Sequence, residues 1–192
     1  MNLTKLFEMQ RKLDEHIEQE HPRQEGEDRL AKKILALQVE LGELANEWRG
    51  FKFWSNDQKP RTKAYSHHEE GHIHGGFYSV SRYDRNPLLE EYVDCLHFIL
   101  SIGLELGITE IYNLSTKKDS DLIFMFMDVN ELSIILMQYD IAGNETYKSI
   151  AYIDMFEKFL VLGEMLGFTW EQIEQAYFEK NKVNHQRQQE GY

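Results

Sequence analysis

The stretch from Asp28 to Trp48, DRLAKKILALQVELGELANEW, decides the fold. Leu30, Ile34, Leu37, Leu41, Leu44, Ala45 and Trp48 recur at the three- and four-residue spacing of one helical face. The same stretch carries acids beside that face, Glu40 and Glu43. Working outward, Leu3, Leu6, Phe7, Gln10 and Leu13 predict an earlier helix, capped by Asn2 or Thr4 and ended before Pro22 and Gly26. Residues 51–86 do not fit the period and are read as a long loop insert between the second and third helices, with a short hairpin around Phe77–Val80. Asn86-Pro87 opens a third helix, whose apolar face runs from Leu88 to Leu104 and which Gly107 ends. Further helices are expected at about 119–140 and 147–166, the second closed by Gly167. Thr169-Trp170-Glu171-Gln172 has the form of a capping box, opening a last helix that reaches about Gln188. The expected fold is all-α, a bundle of about five or six helices in a single domain over 1–192.

Composition narrows the function. The 192 residues are 42% apolar and 12% aromatic, enough for a core and too much for a disordered chain. A net charge of −12 repels nucleic acid and anionic membranes. The single cysteine, Cys95, excludes a disulfide framework and fits a reducing compartment. With no signal-like start and no uninterrupted apolar run of membrane length, a cytoplasmic location without membrane or nucleic-acid partners is expected.

The carboxylates are the chemical signal. Glu40 and Glu43 are three positions apart, as are Glu91 and Asp94, so each pair shares a helix face. Both pairs adjoin apolar stripes, where unneutralised acids are costly. If the two helices pack, four carboxylates converge, and a hard divalent cation such as Mg²⁺ resolves the repulsion. Each pair taken alone is also what an ordinary solvated helix face carries. Glu47 and Glu90 are read as solvated or as supporting the ligands. A di-iron site is disfavoured, because three residues after Glu91 stands Asp94 and not histidine. His97 is read as a satisfied helix histidine, and Trp48 and Phe53 as core.

The E-x-x-E and E-x-x-D pairs resemble the metal signature of the all-α nucleoside triphosphate pyrophosphatases. More specifically, the chain resembles the dimeric dUTPases. Gln10-Arg11-Lys12-Leu13-Asp14 is similar to their Q-x-x-L-N/D segment, and Phe51-Lys52-Phe53-Trp54 to their aromatic-Lys-x-Trp segment. Lys180-Asn181-Lys182-Val183-Asn184-His185-Gln186-Arg187-Gln188-Gln189-Glu190-Gly191-Tyr192 resembles their K-N-x-x-N-x-x-R-Q-x-x-G-Y ending.

The resemblance implies hydrolysis of dUTP to dUMP and pyrophosphate, and of dUDP to dUMP and phosphate, with two or three Mg²⁺ ions in a homodimer. It implies metal ligation by Glu40, Glu43, Glu91 and Asp94, with Glu43, or else Glu40, as base. It places Gln10 and Trp54 at uracil and Lys180, Asn184 and Arg187 at phosphates and sugar, and counts Asp14 and Lys52 among the substrate-binding residues. Gln10 offers both a donor and an acceptor to an imide edge, and Trp54 a flat wall. Asp14 stands where many relatives carry Asn, which leaves its role open. Helices four and five are the interface candidates. His67, His68, His72 and His74 are read as part of a solvated insert, with metal binding or a lid as alternatives. The competing functions are a related dNTP pyrophosphatase preferring dCTP or a broad pool, and a phage protein that engages a regulatory partner.

Overall fold

A computed structural model describes residues 2–65, 67–73, 76–82, 84–111 and 121–191. Its helices are α1 (Leu3–Glu20), α2 (Arg29–Trp48), α3 (Pro87–Glu105), α4 (Leu122–Ile141), α5 (Glu145–Met165) and α6 (Trp170–Gln189), and its strands are β1 (His67–Ile73) and β2 (Gly76–Arg82). The fold is all-α, a helical bundle with one small hairpin.

Each helix start has a local cause. The side chains of Asn2, Asp28, Asn86, Asp121, Asn144 and Thr169 each accept from a backbone N–H of the first turn, satisfying a donor the helix leaves free. The expected capping box at Thr169 and Gln172 is present in both directions. Pro87 occupies the first turn of α3, where its missing N–H costs nothing.

The α2 stripe is buried as its spacing predicts: Leu30, Ile34, Leu37, Leu41 and Leu44 all face inward. Each such side chain contributes about 1.5–3 kcal/mol of apolar burial as an upper bound. The central helix is α3, which packs against α1, α2, α5 and α6, while α4 packs on α5 and α2. Two glycines let α3 and α5 interlock. A Cβ on Gly163 would lie 2.4 Å from the Tyr92 hydroxyl, and one on Gly103 would lie 2.2 Å from the Tyr152 hydroxyl. The two tyrosines donate across the contact, Tyr92 to the Phe159 carbonyl at 3.1 Å and Tyr152 to the Ile99 carbonyl at 3.0 Å. Buried hydroxyls are thereby satisfied without water.

The insert is more ordered than a long loop. β1 and β2 pair antiparallel from His67 opposite Arg82 to Ile73 opposite Gly76, and the isolated bridge Ala64–Arg85 continues the same register toward the bundle. Arg61 donates its N–H to the Glu47 carbonyl and Leu88 donates to Arg61, which ties the insert to the end of α2 and the start of α3. The side chains of His67, His68 and His72, and all of His74, lie outside the described residues. The same holds for residues 112–120, where the fourth helix was expected to begin; its described start is Leu122, capped by Asp121.

One expected core residue is misplaced by the sequence reading. Phe53 is 86% exposed, because it sits in the tight turns that follow the left-handed Arg49 (φ 65°), not on a helix face. Trp48 is half-buried and stacks on Phe126 at 5.4 Å between centroids. Among the described residues, α4 is the helix long and apolar enough by composition to cross a membrane. It instead joins the bundle through polar contacts: Asp128 pairs with Lys158 at 3.4 Å, and Ser133 accepts from Gln38 at 3.0 Å.

Candidate active site

Packing α2 on α3 brings acids from both helices together. Glu40, Glu91 and Asp94 each place a carboxylate oxygen within 4.8 Å of the others, half-buried. Glu43 is exposed and stands outside this trio, yet near enough for its charge to act on Glu40 and Glu91. Burial, then the charge of Asp94 and the neighbouring glutamates, pushes Glu40 and Glu91 each up to about 7; Lys180 opposes this. Asp94 is also raised by burial, less so because Lys180 donates to its Oδ2 at 2.5 Å and Arg187 lies nearby. Carboxyl groups held this close to neutrality lack positive charge. Hard oxygen donors in this number and closeness fit a divalent cation.

Glu40 and Asp94 open into a cavity of about 820 Å³. Its walls come from α1, α2, α3 and α6, and include Gln10, Asp14, Lys180, Asn184 and Arg187. Lys180, Asn184 and Arg187 reach it from one face of α6, offering an ammonium, an amide and a guanidinium. Trp54 and Lys52 are placed differently. Both sit in the turn after α2, Trp54 is 65% exposed, and its ring meets Phe51 and Phe53 edge-on at 5.7 and 5.0 Å. Neither lines the described cavity.

Gln10 is 3% exposed and its amide is already engaged. Its Nε2 donates to Asp14 at 2.7 Å, and its Oε1 accepts from the Tyr177 hydroxyl at 2.8 Å. The His97 Nδ1 lies 2.8 Å from the same oxygen, and the imidazole stacks on Tyr177 at 4.2 Å. Asp14 accepts further from Ser101 Oγ at 2.6 Å and Lys33 at 3.5 Å, and Lys33 also donates to Glu105 at 2.9 Å. Desolvation lowers His97 to about 3, so the ring is neutral at physiological pH.

His97, Ser101, Tyr177 and Lys33 are the parts of the site that motif reading missed. A spacing signal existed. Asp94, His97, Ser101 and Glu105 follow one another by three or four positions, a polar stripe along an otherwise apolar helix. Lys33 is two turns before Glu40 on the same face of α2.

A family model described as dUTPase matches residues 2–70 and 77–192. The chain belongs to the dUTPase family. No curated protein and no solved structure matches the chain. As a dUTPase it is an enzyme that hydrolyses dUTP, and its family generally depends on divalent metal. The half-neutralised acids on one wall and the cationic face of α6 on another suit a metal-bound polyphosphate.

Proposed function

We propose that the chain hydrolyses dUTP to dUMP and pyrophosphate, and dUDP to dUMP and phosphate, with Mg²⁺ as the cation. The observation that carries this is the carboxylate trio of Glu40, Glu91 and Asp94, beside the cavity that Lys180, Asn184 and Arg187 line. Bound at these acids, Mg²⁺ would neutralise phosphate oxygens and acidify a water. Lys180, Asn184 and Arg187 hold the phosphates and the sugar, the guanidinium by paired N–H donors. Glu43, outside the trio, takes the proton of the attacking water, a task for which a carboxylate not engaged in ligation is suited. Gln10 and Asp14 sit at the base end of the cavity. Trp54, exposed after α2, and the half-buried Lys52 are available to cover the nucleotide.

We further propose a homodimer. Leu35 and Val39 on α2 are 63% and 53% exposed, and Phe124, Met127 and Ile134 on α4 are 56%, 58% and 49% exposed. A shallow groove between α2 and α4 is lined by Leu35 and Ile134 of this set. This apolar face suits a second copy. It uses α4 with α2 in place of α4 with α5, since α5 turns most of its large side chains inward.

The experiment is a nucleotide panel of dUTP, dUDP, dCTP, dTTP and UTP, read by product identity with excess Mg²⁺ and with chelator. Pyrophosphate from dUTP and phosphate from dUDP, both abolished by chelator, are expected. Chelator-resistant turnover refutes the metal assignment. Preferred turnover of dCTP refutes the base assignment.

A further inference from the structure

Two histidines meet where the end of α1 touches the end of α6. The Nδ1 atoms of His16 and His185 lie 2.9 Å apart, and the half-buried rings stack with centroids 5.2 Å apart. Neither residue lines the cavity. Their surroundings favour positive charge. Tyr177 meets Leu6 and Gln10 earlier along the two helices and His185 meets His16 later, so α1 and α6 run parallel. Their negative C-terminal poles therefore lie side by side, each one turn beyond a histidine. α1 brings no basic residue to its last turn, and Arg187, in the last turn of α6, lines the cavity instead. Gln188, one turn past His185 on the same face, holds a buried Oε1 that has no hydrogen-bond partner among the described residues. Glu20, one turn past His16 on the same face, is exposed.

We propose that His16 and His185 form a binding site for a borderline divalent transition-metal ion, Cu²⁺ or Ni²⁺, which clamps the ends of α1 and α6 together. Two nitrogens bound to one ion at about 2.0–2.1 Å are about 2.9 Å apart when they subtend a right angle, and about 3.4 Å apart at the tetrahedral angle. The observed 2.9 Å is the spacing of neighbouring ligands on a tetragonal ion, and imidazole nitrogens with oxygens are the donors such ions take. Mg²⁺, which prefers oxygen donors, is not served by two nitrogens. Without metal, one ring donates its Nδ1–H to the other. For both to ligate, the donor ring moves that proton to its own Nε2, a change of tautomer that releases no proton. Each lone pair must also swing about 45° off the line between the nitrogens, which the broad χ2 well of histidine allows. Burial, then the neighbouring His16, lowers His185, so this ring is neutral at physiological pH and able to ligate. Gln188 Oε1 and the Glu20 carboxylate are placed to supply oxygens. α1 carries Gln10 and Asp14, and α6 carries Lys180, Asn184 and Arg187, so an ion here ties two cavity walls together without touching the cavity.

The test is Cu²⁺ binding by the full-length chain with Mg²⁺ in excess, read by titration calorimetry and by nitrogen couplings in pulsed EPR. Because the insert has histidines of its own, the reference chain has His21, His67, His68, His72 and His74 changed to Ala, which leaves His16, His97 and His185. It is expected to bind one Cu²⁺ through two imidazoles. Adding His16→Phe or His185→Phe, each shown folded by circular dichroism, should weaken binding by at least the roughly 10–100-fold that losing a mere supporting partner costs. Unweakened binding in either folded variant overturns the inference, and so does a reference chain that holds Cu²⁺ through fewer than two imidazoles. If neither substitution folds, the reference chain decides alone, because the remaining His97 ring is buried and its Nδ1 is engaged by Gln10. Neither readout uses dUTP turnover, so failure here leaves the proposed function standing, and loss of turnover leaves this site standing.

Discussion

Glu91→Gln is expected to stabilise the metal-free protein at alkaline pH while removing its response to Mg²⁺. In the folded chain Glu91 and Glu40 each titrate near 7, where an unperturbed glutamate titrates at 4.5. Below 4.5 both are neutral folded and unfolded, and neither affects stability. As pH rises from 4.5 to 7 the unfolded chain loses protons that the folded chain retains. Stability therefore falls across this window, and the penalty is complete above it. A carboxyl moved this far carries about 3 kcal/mol against its ionised form. Both groups are half-buried and share one cluster, so solvent screening and coupling reduce this to about 1–2 kcal/mol each.

The glutamine keeps the shape and removes one charge, which also relieves Glu40. At pH 8 the variant should melt roughly 2–8 °C above wild type without metal, given about 2–4 °C per kcal/mol for a chain of this size. At pH 4.5 the two should coincide. Added Mg²⁺ should raise the melting temperature of wild type at pH 8 and of the variant little, because a ligand that binds only the folded state stabilises it by mass action. The assay is thermal unfolding at both pH values, with Mg²⁺ or chelator. A variant that melts below wild type at pH 8 without metal, or that keeps the full Mg²⁺ shift, refutes the reasoning.

Gly163→Ala places a methyl 2.4 Å from the Tyr92 hydroxyl, and Tyr92 is fully buried against Phe159 at 4.3 Å, so it has no room to withdraw. A loss of about 1–3 kcal/mol is expected in denaturant unfolding, and an unchanged midpoint would show that α3 and α5 separate easily. Met127→Lys, on the exposed face of α4, should convert a dimer to a monomer in sedimentation velocity without lowering helical content. A wild type that sediments as a monomer, or a variant that remains dimeric, refutes the interface.

Much of the fold is legible because helix ends are local events. Asn86-Pro87 and the Thr169–Gln172 pair fix α3 and α6 within a turn of sequence, and the α2 stripe needs only its own spacing. The hairpin was only partly legible. Its strands are held by their ladder and by the Ala64–Arg85 bridge, so they need no alternation of apolar residues. Phe53 misled because an aromatic residue reads as core by default, whereas the left-handed turn at Arg49 carries it outward.

The candidate site divides in the same way. Glu40, Glu91 and Asp94 could be placed from i, i+3 spacing beside apolar neighbours, because a helix face is a one-dimensional property. That Glu43 stands outside the trio depends on how α2 is rotated against α3, which spacing alone does not fix. The Gln10, His97 and Tyr177 cluster is further from sequence, for it joins α1, α3 and α6 across 87 and 167 positions. Each of these residues taken alone reads as an ordinary polar or aromatic side chain. What makes them a site is the direction of their hydrogen bonds. The Asp14 carboxylate, which accepts from the Gln10 amide and from Ser101, sets that direction for the whole chain of contacts. An Asn at that position could donate as well as accept, and would leave the Gln10 amide free to turn.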